Sequence, residues 1–596
     1  MRHLTPAEIS RLEHNGCRCH DWNRVMLRAD RFEPDDYADT LFSGDNILGN
    51  HDAQTDGMMC PRIYRAHLHD CRLGDNVTVR DVHLLAGYTV GDGAEITGCG
   101  TIDGTGWKAG ATTVNVLDET GSKSLRIAPG ITAQIAGLAV HDESLRTLIN
   151  NLPPEETTSA RPLIGYGARL KGAIQIIRSE IGDGAEIGAG TMVEDCVIEG
   201  NALIDKGTQI SRCFAGQNVI LCNFTAQHSL FFANSHLCNG EAASVFAGPF
   251  TVSEHKSTLL IGGEFMMFNA GSGTNQSNHL YKLGPIHYGT MGRGCKCASD
   301  SYIMWPARIG DFTMVSGRHY SHPDTRQFPF SYLIAGNDGL SRLLPGENLV
   351  KCGTARDIAK WPARDRRPAD RRLDIIGFDA LNPATVSRMQ SAVNLMDSLE
   401  RTAENADSDF IHEGTAISRR AMAKGRRLYA NAMMRYFGEK QLIAQEEGNA
   451  SGVKKHNLTD SWTDMAGYVM PKEVIDSIIA GLQSGAIRSL SDLARTLAAS
   501  LPRVAEMERE FALGQPLPEI CSELYGLPSE GYTPSELLDA YIRAEEEYLT
   551  LVLADASKEA EMAGRPALAD NDPTLDALKK RLSEIKMRAA ALSDRK

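Results

Sequence analysis

Residues 91–96 read Gly91-Asp92-Gly93-Ala94-Glu95-Ile96, and the same six residue types return as Gly182-Asp183-Gly184-Ala185-Glu186-Ile187. The aliphatics around each copy keep one rhythm. The first set is Leu73, Val79, Leu85, Val90, Ile96 and Ile102; the second is Ile181, Ile187, Val193, Ile198, Ile204 and Ile210. Both step by six, with a step of five in the third interval. A period of six fits neither an amphipathic helix nor an alternating strand. It fits a hexapeptide β-solenoid, in which each hexad makes one flat face of a coil and the aliphatic points into the prism. The glycine that follows several of these aliphatics (Gly74, Gly91, Gly182, Gly188) is expected at a corner, where a Cβ would clash or φ must be positive.

Working outward, hexads run from about Ile63 to Ile135, stop, and resume from Leu163 to about Ile210. The period survives to Ile303–Val315, with Asn223, His228, Asn234, His236, Asn239 and Glu241 crowding the corners. The break contains an amphipathic helix at Glu143–Leu152 and a polar loop at Pro153–Arg161, so an insertion near 141–161 is expected. Thr5-Pro6-Ala7-Glu8 is a capping box that opens a short helix. Residues 1–60 are read as a cap on the exposed end of the solenoid. The solenoid occupies 61–350. Trp361–Arg372, with five Arg and two Pro, makes 351–372 a linker or a strap on the acidic body. From 373 to 596 the chain reads as all-α, with helices over Thr385–Ala403 and Ala416–Gln445, a loop at Glu446–Asn457, a second capping box at Thr533–Glu536 and a last helix from Pro573.

At 596 residues the chain exceeds what one hydrophobic core usually serves. A net charge of -14 argues against a nucleic-acid binder, which would need a concentrated basic face. The 13 Cys are an odd number without zinc-finger spacing, Cys17/Cys19 and Cys295/Cys297 included, which predicts free thiols in a reducing compartment. Met1–Gly16 has no apolar signal core, and no apolar run is long enough to span a bilayer. A cytoplasmic protein with no membrane partner is the expectation.

A regular solenoid is a scaffold, so chemistry is sought where residues break its rule. The densest break is Glu254 to Arg326. It holds Glu254-His255-Lys256, the run Gly271–His279 with Asn275 and Asn278, Tyr281-Lys282, and Arg318-His319-Tyr320-Ser321-His322 with Asp324. Imidazoles and carboxylates against apolar walls such as Phe265-Met266-Met267-Phe268 trade protons near neutral pH. The competing reading is structural: corner Asn residues form hydrogen-bonded ladders, and a single His there is usually a satisfied core residue. No His-x4-His pair occurs, and no metal is expected.

The hexads resemble the left-handed β-helix superfamily of sugar and sugar-nucleotide acyltransferases. His279-Leu280-Tyr281-Lys282-Leu283-Gly284 is similar, at four of six positions, to the His-Leu-Thr-Tyr-Leu-Gly segment of the acetyltransferase half of bifunctional N-acetylglucosamine-1-phosphate uridylyltransferases. His255-Lys256-Ser257-Thr258 is similar to a Lys-Thr strand there. The nucleotidyltransferase half is absent. The whole chain also resembles a large bacterial family whose members are sometimes labelled as related to UDP-N-acetylglucosamine pyrophosphorylase. The resemblance implies a mainly β fold, a left-handed parallel β-helix with an all-α C-terminal domain. It also implies a homo-oligomer, a trimer above others, and His279 as general base for an acceptor amine.

The expected function is an enzyme acting on a sugar, sugar phosphate or sugar nucleotide. In the acyl-transfer form His279 is the base, His255, His319 and His322 lie near it, and Asn275 and Asn278 orient the acceptor. Lys256, Lys282 and Arg318 hold an anionic group, and acyl-CoA is a cosubstrate without any tightly bound cofactor. In a second form the His cluster works with Glu264 or Asp324 in elimination, isomerisation or hydrolysis. A third reading is a non-catalytic scaffold.

Overall fold

The six-residue rhythm becomes three faces. Val90, Ile96 and Ile102 sit on successive strands, Thr89–Val90, Glu95–Thr97 and Thr101–Asp103, and pair in parallel register with Leu73, Val79 and Leu85 one coil earlier. All six are buried. We call the faces that carry Val90, Ile96 and Ile102 faces I, II and III. In this computed structural model, which describes residues 1–28, 32–52, 60–154, 161–279, 284, 287–402, 409–448, 462–528, 531–565 and 571–593, face I is a 14-stranded sheet. The fold is a parallel β-solenoid followed by a helical region. Each coil buries only a few aliphatics, and stacking supplies the shared core.

The corner chemistry divides between two positions of the hexad. Gly91 is a close-approach site, where a Cβ would lie 2.6 Å from the Tyr166 backbone nitrogen. The left-handed backbone falls two residues later, at Gly93 (φ +68°). In later coils Asn201, Asn218 and Asn234 take that left-handed site, with φ of 56°, 57° and 61°. Asn223, His228 and Asn239 are left-handed corner residues as well. Asn tolerates this conformation better than most residues, so much of the polar crowding after Ile210 is corner geometry.

The boundaries differ from the sequence reading in three places. Coils already exist within residues 1–60: Arg18–Cys19 pairs with Leu41–Ser43, and Val25–Leu27 with Asn46–Leu48. Short strands hid them; only Arg2–His3 and the capped helix Pro6–His14 precede. The first block of hexads ends at Asp103, not Ile135. Val114, Leu125 and Ile135 belong to a hairpin, Thr113–Asn115 with Ser124–Arg126, and to a helix, Ala133–His141. The insertion therefore spans 104–162. Within 351–372 a helix forms at Cys352–Arg364, with Pro362 in its last turn and Trp361 buried.

The remaining segment, 365–382, is a strap held to the solenoid. Asp365 pairs with Arg367 at 2.9 Å in a buried setting, and Asp374 accepts from the backbone N–H of Ala233 at 2.9 Å. The solenoid ends where Tyr332–Ala335 turns into antiparallel Ser341–Leu344, which Thr415–Ile417 and Phe410–His412 continue. That covers the last open edge. The helices Pro383–Arg401, Arg419–Glu446, Pro534–Met562 and Pro573–Ser593 follow. Both expected capping boxes, Thr5 with Glu8 and Thr533 with Glu536, are formed. Among the described residues no helix is long and apolar enough to cross a membrane. Most of the polar loops expected at Pro153–Arg161 and Glu446–Asn457 lies outside the described residues.

Candidate functional site

The insertion leaves the solenoid at the III/I vertex, where the rhythm shortens to five, and lies along face I. Gly130 donates its N–H to Glu199 at 2.7 Å, Asn115 donates to His228 Nδ1 at 3.2 Å, and Leu117 donates to the Ser244 carbonyl at 2.8 Å. The outward-facing stripe of face I in this stretch, Val197, Phe214, Leu230 and Phe246, is buried. At the next coil the stripe turns polar. Glu264 stands in register with Thr290, Thr290 with Arg308, and Arg308 bridges Asp324. Adjacent strands lie about 4.8 Å apart, so these side chains form one short column.

Glu264 is almost wholly buried, and the group that meets it is His141. The imidazole Nε2 lies 3.2 Å from one carboxylate oxygen and 3.3 Å from the other. His141 is the last residue of the helix Ala133–His141. Glu264 raises its pKa above the usual imidazole value against the opposing effect of burial, and a helix C-terminus also favours the cation. The His141 side chain is 47% exposed, so the ring is anchored on one side and open on the other. Lys123 Nζ donates to the Val140 carbonyl at 2.9 Å and lies 5.0 Å from the Tyr288 ring centroid. Burial, with Arg146 nearby, pushes its ammonium pKa down.

A second set of polar groups roots the loop between Ser277 and Gly289 beside this pair. Asn278 is fully buried and donates Nδ2–H to Glu119 of the insertion. The buried atoms Asn278 Oδ1 and His287 Nε2 have no partner among the described residues. Buried polar atoms without a partner are uncommon in folded proteins, and a bound water or ligand is one way to satisfy them. The loop root is fixed by Trp305, whose indole N–H donates to the Ile261 carbonyl at 2.7 Å. The indole packs so closely on Gly289 that a Cβ there would lie 1.9 Å from it.

The residues singled out from sequence divide by vertex. Asn278, Glu264 and the exposed His279 belong to the III/I side, where the insertion meets face I. His322 lies on the same edge two coils further, its Nδ1 3.2 Å from the Met304 carbonyl. Asp324 pairs with Arg326 at 2.6 Å. It faces a cavity of about 440 Å³ shared with Arg388 and His412. His255 and Lys256 are exposed at the opposite II/III vertex and are not brought to the others. Asn275 and Arg318 point outward from face III, Arg318 bound to Asp300 at 3.0 Å. His319 is 1% exposed, faces inward, and is held by Ser341 Oγ at 2.8 Å; enclosed there, it cannot reach a substrate. Lys282 lies outside the described residues. No group of three or more His, Cys, Asp or Glu that could hold a metal occurs among the described residues.

His141, Lys123, Glu119 and Arg308 were not found from sequence, whereas His287 belongs to the histidine-rich window Glu254–Arg326 that the sequence marks. His141 lies about 120 residues before Glu264 and breaks no hexad. The available signal was the interruption of the rhythm itself, since an inserted segment on a solenoid face is where a scaffold acquires a wall.

Residues 1–189 and 164–400 match the family model described as Domain of unknown function (DUF4954), and residues 450–571 match Domain of unknown function (DUF6819). No curated protein matches the chain.

Proposed function

This chain belongs to the DUF4954 family, and for it we propose acid–base catalysis on a sugar-type substrate that carries an anionic group. The observation that carries the reading is the His141–Glu264 pair, a nearly buried carboxylate fixing a half-open imidazole. Such a carboxylate orients the ring and stabilises its cation. The ring then gives a proton to a leaving group or carbonyl oxygen, or takes one from carbon, as elimination, isomerisation or hydrolysis requires. Arg308 and Lys123 supply positive charge for a phosphate or carboxylate, and the two orphaned atoms of Asn278 and His287 supply polar contacts for hydroxyls. The enzyme works in the cytoplasm and needs no tightly bound cofactor.

A second reading is acyl transfer, with His279 as base and acyl-CoA as cosubstrate. It is favoured by one placement: His279 is exposed and directly follows Asn278 on the III/I side of the solenoid. The similarity of His279–Gly284 to the acetyltransferase segment supports it further.

One experiment separates these readings. The full chain is incubated with a panel of sugar phosphates in D2O and followed by proton NMR, and separately with acetyl-CoA and amino-sugar phosphates while free thiol is measured. Conversion or deuterium uptake that falls about 10²–10⁴-fold in His141→Asn supports the first reading. Thiol release abolished by His279→Ala and kept in His141→Asn supports the second. Turnover untouched by either substitution overturns both.

A further inference from the structure

The insertion begins with a glycine-rich loop, Gly104-Thr105-Gly106-Trp107-Lys108-Ala109-Gly110. It arches over the III/I vertex three coils before Glu264. Beneath it lies a cavity of about 200 Å³, whose lining includes Trp107, Lys108, Thr112, Arg178, Asp195 and Arg212. Three of these side chains are cationic and one is anionic, in a chain of net charge -14. Only Arg178 has its charge answered, by Asp195 at 2.7 Å and Glu194 at 2.8 Å. Lys108 and Arg212 have no ion-pair partner among the described residues.

A fourth cation stands beside the loop. Arg126 packs on Gly110, where a Cβ would lie 3.2 Å from its Nη1. Its Nε and Nη2 are buried without an acceptor among the described residues. Two buried guanidinium N–H groups without an acceptor are costly unless a polar or anionic group completes them. Arg212 is placed by necessity, because it takes the left-handed corner (φ +49°), as His228 does in the next coil. The corner therefore sets its Cα beside the loop, and its side chain is among those that line the cavity.

We propose that this cavity is a binding site for a phosphate monoester, with Lys108 and Arg212 holding the phosphate and Trp107 covering a small organic ring. Guanidinium and ammonium groups make charge-assisted bonds to phosphate oxygens. The hydroxyl of Thr112 adds a neutral donor, and an aromatic face suits the apolar side of a sugar ring. The site stands three strand spacings, about 14 Å, from Glu264. It does not depend on the acid–base reading of that residue.

The test is calorimetric titration of the full chain at low salt with two probes, inorganic phosphate and glucose 1-phosphate. Wild type is compared with Arg212→Gln, Lys108→Gln and Trp107→Phe, each first checked for an unchanged melting temperature. Saturable binding of glucose 1-phosphate is expected, weakened about tenfold or more by Arg212→Gln and by Lys108→Gln. Trp107→Phe should weaken glucose 1-phosphate and leave inorganic phosphate unchanged. Equal binding of both anions, indifferent to Trp107→Phe, would overturn the ester assignment in favour of free phosphate. No binding of either anion by wild type, or binding kept intact in Arg212→Gln and Lys108→Gln, would overturn the site.

Discussion

His141 and Glu264 meet across a seam between two parts of the chain that are 123 residues apart, one at the end of an inserted helix and the other on a solenoid strand. The solenoid supplies a rigid carboxylate and the insertion supplies the imidazole. Glu264 is the largest influence on the His141 titration, ahead of burial and of the charges of Lys123 and Arg308. The acid–base chemistry proposed for this place therefore depends on how firmly the insertion is docked.

The raised pKa of His141 gives a signed pH dependence. A histidine whose folded value lies above its unfolded value near 6.5 stabilises the fold below that pH, and the contribution fades as pH rises through the folded value. Glu264→Gln should thus lower the melting temperature clearly at pH 6 and much less at pH 9. The effect is modest, because the ring is half open to solvent and screened. Equal shifts at both pH values would show that Glu264 acts through packing instead.

Legibility in the sequence followed periodicity. The six-step rhythm of Val90, Ile96 and Ile102 placed each residue on its face, because the coil repeats a local rule. The capping boxes at Thr5 and Thr533 were legible for the same reason. Past Asp103 the reading slipped: Val114, Leu125 and Ile135 are buried aliphatics like those of the coils, but they belong to a hairpin and a helix. The site was only half legible. Glu264 and Asn278 lie in the rule-breaking window, yet their partners His141 and Glu119 come from the insertion, and only the fold brings them together. His255 and His279 are 24 residues apart but sit on different vertices of the prism, which adjacency in sequence does not reveal.

Asp374 holds the insertion and the solenoid at once. One carboxylate oxygen accepts from Ala133 N–H at 2.7 Å, at the start of the helix that ends in His141, and the other from Ala233 N–H at 2.9 Å. Asn at this position keeps one acceptor and turns an amide N–H toward the other donor. Asp374→Asn should cost about 1–3 kcal/mol and raise hydrogen exchange over Ala133–His141. It should also return the His141 pKa toward its ordinary value, as read by NMR. Unchanged exchange in that helix would show that Asp374 does not set its position.

The assembly we propose is a homotrimer formed through face III. Face I is covered by the insertion, and the strap and helical region hold the I/II edge through Asp374 and through the buried pair Arg293–Asp464 at 2.5 Å. Face III keeps a shallow open groove lined by Met192, Gln209 and Thr225, with Ile174 exposed at its edge. Light scattering should return about three times the 64.9 kDa chain mass, and Met192→Arg with Gln209→Arg should reduce it to one. A wild-type mass of one chain at micromolar concentration would end this proposal.

His319 contrasts with His141: a neighbouring carboxylate raises the pKa of His141, whereas burial lowers that of His319. It faces the solenoid interior, 1% exposed, between Ser341 Oγ and the Ser316 carbonyl. Burial pushes its pKa down to about 4. Its neutral form is the one the fold accepts, so its contribution is full above pH 6.5 and is lost as pH falls toward the folded value. A gap of that size is worth on the order of 3 kcal/mol. Urea unfolding of wild type should therefore show stability falling between pH 6.5 and pH 4. In His319→Leu that part of the acid limb should flatten, at a cost near neutral pH of about 1–3 kcal/mol for the bonds left unmade. Turnover and anion binding should be unchanged, since the ring is enclosed in the solenoid interior. An acid limb as steep in the variant as in wild type would locate the titration elsewhere. Loss of turnover without loss of stability would return His319 to the catalytic set.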